Sequence, residues 1–117
     1  MFDLKDLCVK SAAAKYEAGL LTTEKKNEVL ICAAKMLKQE SAYLLAENEK
    51  DLANAKENGI SEGMQDRLRL SKERIEAMAE GLVQVASLPD PIGEVLEEFE
   101  RPNGLKIKKI RVPMGVI

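Results

Sequence analysis

The sequence contains no histidine and no tryptophan, and it has only two Phe and two Tyr among 117 residues. Without histidine, Ser-His-Asp triads, Cys-His pairs and nearly every catalytic zinc site are excluded. No apolar run reaches the ~18 residues of a membrane-spanning helix. The opening segment, MFDLKDLCVK, alternates charged and apolar residues and lacks the apolar core of a signal peptide. We therefore expect a soluble, cytoplasmic chain without a membrane partner.

An excess of positive charge is also missing, because 18 basic and 20 acidic residues give a net charge of −2. We therefore expect no nucleic-acid partner. The one basic stretch lacks interleaved aromatic residues, and acidic residues on the preceding predicted strand can offset its charge; it comprises Lys106, Lys108, Lys109 and Arg111. The sequence has neither G-x-G-x-x-G nor G-x-x-x-x-G-K-[ST], so it offers no self-contained phosphate cradle.

The two cysteines, Cys8 and Cys32, are too far apart to form a C-x-x-C motif. Each lies in a helical pattern, which is typical of a small buried hydrophobic residue, so we predict that both are reduced, buried and slow toward thiol reagents. A nucleophilic cysteine requires a neighbour that lowers the pKa of its thiol. Cys32 lies instead inside the apolar run VLICAA. Neither cysteine is predicted to be catalytic.

Acidic residues are abundant, but a charged surface explains them better than a catalytic carboxylate pair; the two clusters are Glu97-Glu98 and Glu47, Glu49 and Asp51. Asn48 falls on an apolar helical stripe, and we interpret it as a buried amide bonded to nearby backbone rather than as a ligand. The residues alone therefore predict no catalytic, cofactor-binding or metal-binding site in this chain.

The spacing of apolar residues predicts a helical block. Asp3 is the expected N-cap of the first helix and Gly19 its left-handed terminal residue, with Leu20 folding back. Thr22 or Thr23 caps the second helix, whose VLICAA run predicts packing on several sides. The apolar face of the first helix is predicted to contain Leu4, Leu7, Cys8, Ala12 and Tyr16.

Three further helical segments are expected. The third helix begins near Ser41 and ends at Gly59 in a Schellman turn, with Ile60 reaching back to Ala55. Ser61 and Ser71 cap the next two helices, and LPDPIG ends the last one. The predicted stripes are Leu44, Leu45, Leu52 and Ala55 in the third helix, and Ile75, Met78, Ala79, Leu82 and Ala86 in the last.

After Gly93 the pattern changes to that of a β-hairpin. A two-residue Asn103-Gly104 loop would require Pro102 to donate an N–H that it lacks. A three-residue loop, Pro102 to Gly104, avoids this fault and pairs Arg101 with Leu105. The paired positions that follow are Glu100–Lys106, Phe99–Ile107, Glu98–Lys108 and Glu97–Lys109. Because a two-stranded hairpin is marginal alone, we expect this one to project and join a sheet elsewhere.

The predicted fold is therefore mainly α with a C-terminal β-hairpin. The helical block covers residues 1–92 and the hairpin 93–112. The last residues, VPMGVI, hold four large apolar residues and no charge, which is typical of the start of a buried strand. This ending raises the question of whether the sequence is an entire protein or the front of a longer one. The residues alone therefore indicate a helical module with a hairpin and no catalytic apparatus.

Two stretches carry a resemblance to a known family. DRLRLSKERIEAMAEGLVQVASLPDPIGEVLEEFERPNGLKIKKIRVPMGVI, residues 66–117, resembles gamma-glutamyl phosphate reductase (glutamate semialdehyde dehydrogenase) of the aldehyde dehydrogenase superfamily, and AENEKDLANAKENGIS, residues 46–61, fits the same family. The resemblance implies that this chain is an N-terminal fragment, the front part of an α/β enzyme, truncated at residues 113–117. Residues 1–92 would begin its nucleotide-binding domain, the hairpin would be an oligomerisation element, and 113–117 would lead into the first strand of the nucleotide-binding fold.

The resemblance also implies NADPH-dependent reduction of L-glutamyl 5-phosphate to glutamate semialdehyde in proline biosynthesis. In that family a cysteine displaces phosphate, and the resulting thioester accepts a hydride. Neither Cys8 nor Cys32 matches that cysteine, so this chain alone is expected to be inactive and to bind no NADPH. The implied partners are further copies of the chain, through hairpin residues 94–112, and a glutamate kinase. A free-standing helical interaction module is the alternative.

Overall fold

The structure, a computed structural model, describes residues 3–117. Within this range five helices precede one antiparallel hairpin, which confirms the mainly α architecture. The elements are α1 (Leu4–Gly19), α2 (Thr23–Gln39), α3 (Ser41–Glu57), α4 (Glu62–Leu68), α5 (Lys72–Ser87), β1 (Val95–Glu100) and β2 (Lys106–Ile110). No helix among these residues is long and apolar enough to cross a membrane.

The chain divides into two compact units. The helical unit comprises Glu24–Leu88, and the hairpin unit combines residues 3–23 with Pro89–Ile117. In the helical unit, α4 and α5 both pack against α3. The hairpin unit contains α1 and both strands. The predicted boundaries at residues 92 and 112, and the domain roles that the resemblance implies, stay predictions.

The core of the helical unit lies on α5 and α3. Ile75 and Ala79 of α5 are 1% and 0% exposed, and Ala55 of α3 is also buried. The predicted stripes are largely confirmed, since Leu44, Leu45, Leu52, Leu82 and Ala86 are half-buried. Met78 is an exception, because its side chain is 49% exposed. It lies at the margin of the stripe, where it lines an open groove beside the α4–α5 connector.

Local capping chemistry sets the ends of these helices. Gly59 has φ of 70° and donates its N–H to Lys56 O at 3.1 Å, while Ile60 N–H donates to Ala55 O at 3.0 Å. These two bonds form the predicted Schellman turn. Ser71 Oγ accepts from Arg74 N–H at 3.2 Å, as expected of an N-cap. Ser61 occupies the N-cap position of α4, but its side chain makes no capping bond.

The prediction that α2 packs on several sides is wrong for this chain. Only Ala34 is buried on α2, whereas Val29, Ile31 and Met36 are each about half exposed. The other elements of the helical unit gather around α3 and leave the faces of α2 open. An apolar run therefore identifies the helix faces that are available for packing, whereas contacts with other elements determine which of those faces are buried.

The first helix begins as predicted and ends differently. Asp3 Oδ1 accepts from Lys5 N–H at 2.9 Å and from Asp6 N–H at 3.2 Å, which confirms the N-cap. The left-handed role of Gly19 is wrong, because Gly19 is the last helical residue and Leu20 is the C-cap with φ of −96°. A right-handed C-cap suits any side chain, so no glycine is required at this position.

The predicted apolar face of α1 is not a core in this chain, because no residue of α1 is buried. Leu4, Leu7 and Tyr16 are 63%, 47% and 70% exposed, and Ala12 and Cys8 are exposed as well. The strands of the same unit pair only with each other, and neither packs along this face. The helical spacing was correct, but nothing in the hairpin unit covers the stripe.

The tail after β2 forms no strand up to residue 117. Pro113 lies beside the end of α1, where a Cβ placed on Gly19 would be 3.7 Å from Pro113 Cγ. The apolar side chains farther along are open, since Met114 is 87% exposed and Ile117 fully exposed. A Cβ at position 19 would therefore make an ordinary van der Waals contact with Pro113, and Gly19 does not have a left-handed backbone.

Candidate functional site

The hairpin is the part of the chain whose geometry points most directly to a function. Its strands pair antiparallel in the predicted register, with Glu100–Lys106, Phe99–Ile107, Glu98–Lys108 and Glu97–Lys109 as opposed pairs. Residues 94 and 111 extend the ladder, because Arg111 N–H donates to Glu94 O at 3.0 Å and Arg111 Nε contacts Glu94 Oε2 at 2.7 Å. The register prediction is confirmed at every pair it named.

The turn has the predicted three-residue form. Gly104 N–H donates to Arg101 O at 2.8 Å, and Arg101 N–H donates to Leu105 O at 2.9 Å. Gly104 has φ of 81°, the left-handed conformation of the bulge position that follows a type I turn. Asn103 Oδ1 accepts from Leu105 N–H at 3.2 Å and supports the turn from its side chain. The loop therefore fixes the register from the tip.

A β-bulge interrupts the base of the hairpin. Val95 pairs with Ile110 and Glu97 with Lys109, so Leu96 is the extra residue on β1. A bulge locally bends its strand and increases its twist. The bulge was not predicted from the sequence, because the charge and turn pattern that sets the register ends at Glu97.

Charge is segregated between the strands. β1 carries Glu97, Glu98 and Glu100, and β2 carries Lys106, Lys108 and Lys109. The three opposed pairs of unlike charge are as predicted, but only Glu98 and Lys108 approach to ion-pair distance, at 3.2 Å. Both side chains are about half exposed, so this contact is worth roughly 0.2–1 kcal/mol. Its main effect is to favour the observed register.

The two faces of the hairpin differ in chemistry. Alternation along a strand places Glu98, Glu100, Lys106 and Lys108 on one face, which we call the charged face and which also holds Val95 and Ile110 at the base of the hairpin. Glu97, Phe99, Ile107 and Lys109 lie on the second face. The second, which we call the Phe99 face, also holds Arg101, whose guanidinium lies 5.3 Å from the centroid of the Phe99 ring. Phe99 is 43% exposed and Leu105 56% exposed. Within residues 3–117 no third strand joins the sheet.

The second candidate, Asn48, has a structural role. Its Nδ2 donates to Leu68 O at 2.9 Å and its Oδ1 accepts from Leu70 N–H at 2.8 Å, with Asn48 only 7% exposed. A carbonyl and an N–H two residues apart on an extended segment point to one side, so the amide acts here as a neighbouring strand would. The prediction of a buried amide bonded to backbone is confirmed. Asn48 holds the α4–α5 connector against α3.

Arg74 completes this junction from α5. Its guanidinium donates to the carbonyl oxygens of Asp66 and Arg69, the latter at 2.7 Å, and lies 3.2 Å from an Asp66 carboxylate oxygen. The last carbonyls of a helix have no partner within the helix, so Arg74 satisfies the end of α4. This arginine is therefore occupied in holding the fold. Sequence reasoning missed it, because no local pattern links α5 to the end of α4.

The predicted burial of both cysteines is wrong in this chain. Cys8 and Cys32 are free and exposed. Both lie on helix faces that no other element of their unit covers, which is the same reason that the apolar stripe of α1 and the VLICAA run are open. Exposure alone does not make a nucleophile, since a catalytic thiol also requires a neighbour that favours the thiolate.

Across residues 3–117 no group of three or more Cys, Asp or Glu side chains is arranged to hold a metal ion. Carboxylates of the acidic clusters instead form ion pairs at the surface; for example, Glu47 pairs with Lys50 at 2.6 Å. The expectation that this chain carries no catalytic residue stays a prediction.

Comparison with known proteins gives one consistent result. No family model matches the chain. A gamma-glutamyl phosphate reductase of Geobacillus sp. is 50% identical over 117 residues, which cover 97% of this chain and 28% of the relative. The reductase of the same name from Halalkalibacterium halodurans is 46% identical, with 100% of this chain and 28% of the relative covered.

Solved structures agree with these relatives. The crystal structure of gamma-glutamyl phosphate reductase from Thermotoga maritima matches 96% of this chain with a TM-score of 0.87 and 33% identity, over 27% of its own length. The structure of the reductase from Saccharomyces cerevisiae matches 97% with a TM-score of 0.84 and 28% identity, over 29% of its length. The chain thus spans little more than a quarter of these relatives. Over essentially its whole length, the chain is homologous to that part of gamma-glutamyl phosphate reductase, which confirms the resemblance.

Proposed function

We propose that this chain is a portion of an NADPH-dependent reductase that converts L-glutamyl 5-phosphate to glutamate semialdehyde in proline biosynthesis. The observation that supports this most strongly is 45–50% identity to relatives of that name over 97–100% of the chain. The structural matches support the same assignment. In this proposal the portion supplies scaffold and an assembly element, and the chemistry depends on residues that lie outside it.

The described residues do not fit the NADPH that the reaction requires. A pyrophosphate site needs backbone N–H groups that converge where a glycine-rich turn opens a helix. None of the described glycines with positive φ lies where a helix begins. Gly59 follows α3, Gly93 precedes β1, Gly104 lies in the hairpin turn and Gly115 lies in the tail after β2. We therefore assign no catalytic step and no cofactor contact to this chain.

A chimera tests the proposed function. The segment of the Geobacillus reductase that aligns with this chain is replaced by residues 1–117, and NADPH oxidation is measured with L-glutamyl 5-phosphate. We expect activity within about tenfold of the parent, because the aligned segments share half of their residues. The same replacement with the Halalkalibacterium segment is the matched control. A folded chimera without activity, beside an active control, would contradict the proposal and favour the helical-module alternative.

The isolated chain gives a complementary test. NADPH titrated into residues 1–117 should show no binding in the micromolar range, which would correspond to roughly 8 kcal/mol. Isothermal calorimetry on the chain and on the active chimera makes the comparison direct. Micromolar binding by the chain alone would show that a cofactor site exists within it.

We also propose that the hairpin, residues 94–112, is the assembly element of this portion and joins further copies of the chain. Its free edges and its exposed Phe99 and Leu105 side chains support this role. Analytical ultracentrifugation of the chain should show an oligomer that becomes a monomer when residues 95–110 are replaced by a short Gly-Ser linker. An unchanged mass would contradict the assembly role.

A further inference from the structure

The sequence contains two Asn-Gly pairs, and the structure places them in different surroundings. Asn58-Gly59 follows α3 in the helical unit, whereas Asn103-Gly104 lies in the turn of the hairpin. Both asparagines are exposed. Asparagine is a thermolabile residue, and a following glycine makes it more so, because no Cβ blocks the approach of the glycine nitrogen to the asparagine side chain. The surroundings of each pair therefore determine which one reacts.

We propose that Asn103 is a site of spontaneous deamidation, at which the chain converts its own turn residue to aspartate and isoaspartate. The backbone nitrogen of Gly104 attacks Cγ of Asn103, and the new N–C bond closes a succinimide ring. The Cγ–Nδ2 bond breaks, and the departing nitrogen takes up the proton that Gly104 has lost, so that ammonia leaves. Water then adds to one of the two ring carbonyls and opens the ring to either product. The sequence of steps consumes water, releases ammonia and exchanges no electrons.

At Asn58 the helical unit opposes this reaction. Asn58 Nδ2 donates to Asn54 O at 2.7 Å, and the Asn58 backbone N–H donates to the same oxygen at 3.0 Å. The Gly59 N–H, which would attack, donates to Lys56 O at 3.1 Å. The rest of the Schellman turn bonds to the carbonyl oxygen of Ala55, a buried residue. Freeing the Gly59 nitrogen therefore requires that the end of α3 open beside the core.

At Asn103 the restraints are confined to the turn itself. The Gly104 N–H donates to Arg101 O at 2.8 Å, and this bond must open before the nitrogen can attack. No residue of the hairpin unit within 3–23 or 89–117 is buried, so opening the turn disturbs no core. Openings of this local kind have the smallest free energies in a folded protein. The reactive conformation of Asn103 is therefore reached without unfolding of the helical unit.

The contacts of the two side chains also favour reaction at Asn103. Asn103 Oδ1 accepts from the Leu105 N–H at 3.2 Å. A donor at this oxygen stabilises the negative charge that develops there as a nitrogen adds to Cγ. The contact at Asn58 has the opposite effect, because it involves Nδ2 and holds the nitrogen that must leave.

The two products should affect the hairpin differently. Aspartate leaves the backbone unchanged and keeps an oxygen that accepts from the Leu105 N–H, so the turn should persist with one added negative charge. Isoaspartate carries the main chain through Cβ and Cγ and lengthens the loop by one atom, which displaces Gly104 from Arg101 O. Because the loop fixes the register from the tip, the isoaspartate form should lose strand pairing.

Peptide mapping of the full 117-residue chain tests the proposal. The folded chain is incubated in mildly alkaline buffer, at a dilution at which contacts between copies do not cover the turn, and is sampled over time. Trypsin releases residues 57–67 and 75–106, each of which contains a single asparagine, because the Arg101-Pro102 bond resists cleavage. Mass spectrometry measures deamidation of each peptide, and electron-transfer fragmentation distinguishes isoaspartate from aspartate. The measurement requires no substrate or cofactor, so its outcome is independent of the proposed reductase activity.

We expect Asn103 to react at least tenfold faster than Asn58 in the folded chain. In guanidinium chloride, which unfolds both units, the two rates should agree within about threefold. Ile75→Ala, which destabilises the core of the helical unit, should accelerate deamidation of Asn58 and change the rate at Asn103 less than twofold. Equal rates at the two sites of the folded chain, or a slower rate at Asn103, would overturn the proposal.

Amide hydrogen exchange tests the effect of each product on the hairpin. Asn103→Asp reproduces the aspartate product and should leave the protection of the strand amides within about twofold of the parent chain. The isoaspartate form, separated by chromatography, should exchange these amides at least tenfold faster. Unchanged protection in the isoaspartate form would show that the loop does not hold the register and would contradict this part of the proposal.

Discussion

The helical unit and the hairpin unit reach their structures in different ways. In the helical unit, Ile75 and Ala79 are almost fully buried and Asn48 joins two elements through its side chain. In the hairpin unit, no residue from 3–23 or 89–117 is buried. Its elements are set by an N-cap, a turn and a β-ladder, all of which are local. The comparison shows that local rules specify elements without providing a core.

This difference has a consequence for stability. Apolar burial is the dominant favourable contribution to folding, and the helical unit has the only buried apolar side chains among the described residues. A two-stranded hairpin in water is marginal without a covering layer. We therefore expect the two units to differ in how strongly substitutions affect them, and the following changes test that difference.

The largest effect is expected at Ile75. Ile75→Ala removes a side chain that is 1% exposed and should lower the free energy of unfolding by about 2–4 kcal/mol through lost burial and a residual cavity. Urea denaturation followed by circular dichroism measures this change. Leu7→Ala, in α1 of the hairpin unit, is the control and should cost less than about 0.5 kcal/mol, because Leu7 is 47% exposed. Equal losses at the two positions would remove the contrast between the units.

The second test concerns the buried amide. Asn48→Ala should cost about 2 kcal/mol, because Leu68 O and Leu70 N–H both lose their partner in a nearly buried site. Asn54→Ala, on the exposed side of the same helix, should be neutral or stabilising by a few tenths of a kcal/mol, since alanine favours helices. The same urea titration compares them. If Asn48→Ala were as mild as Asn54→Ala, the connector would be held by something other than the amide.

Alanine substitutions at two glycines test how the backbone conformation of a glycine determines the effect of an added Cβ on stability. At Gly104, with φ of 81°, alanine should destabilise the hairpin by about 1 kcal/mol, because a Cβ is strained in that conformation. At Gly63, in α4 without positive φ, alanine should stabilise by about 0.5–1 kcal/mol. A Cβ meets no atom within 4 Å at either position, so crowding does not contribute. Amide hydrogen exchange at the hairpin and urea denaturation report the two effects, which should have opposite signs.

The smallest effect is the pH response at the start of α5. The pKa of Glu73 is lowered chiefly by a hydrogen bond from its own backbone N–H, and also by the Ser71 hydroxyl. Its folded pKa therefore lies below its unfolded pKa, so the stabilisation is complete above the unfolded value and is lost as pH falls through the folded value. NMR titration should show the Glu73 pKa rising toward its ordinary value in Ser71→Ala. An unchanged titration would show that the hydroxyl does not contribute.

Sequence reasoning succeeded where the determinants are neighbours in the chain. Pro102 cannot donate an N–H and Gly104 tolerates positive φ, so the three-residue turn and the register followed from the residues of the loop. Asp3, Ser71 and Gly59 marked helix ends for similar local reasons. Asn48 was predictable because an amide on an apolar stripe must find a backbone partner.

The errors arose where the outcome depends on distant parts of the fold. Helical spacing placed Cys8 and Cys32 on apolar faces, but it does not show whether another element covers those faces, and among residues 3–117 no element of the same unit does. At Gly19 the residue type fitted a left-handed terminus, yet Leu20 closes the helix with an ordinary backbone. Arg74 bridges α5 to the end of α4 through side-chain contacts that no periodicity encodes.

The separation of charge between the two strands bears on aggregation. An uncovered strand edge is a template for addition of further chains, and charged side chains and bulges are the usual protection. Here pairing β1 with β1 of another copy would bring acidic rows together, pairing β2 with β2 would bring basic rows together, and the bulge at Leu96 breaks the ladder on β1. Both symmetric routes to a continuous cross-β sheet are therefore opposed by charge. Since salt screens this repulsion, these two symmetric pairings are least favourable at low ionic strength. Head-to-tail pairing of β1 with β2 of another copy brings unlike charges together, so the bulge at Leu96 is the feature that opposes it.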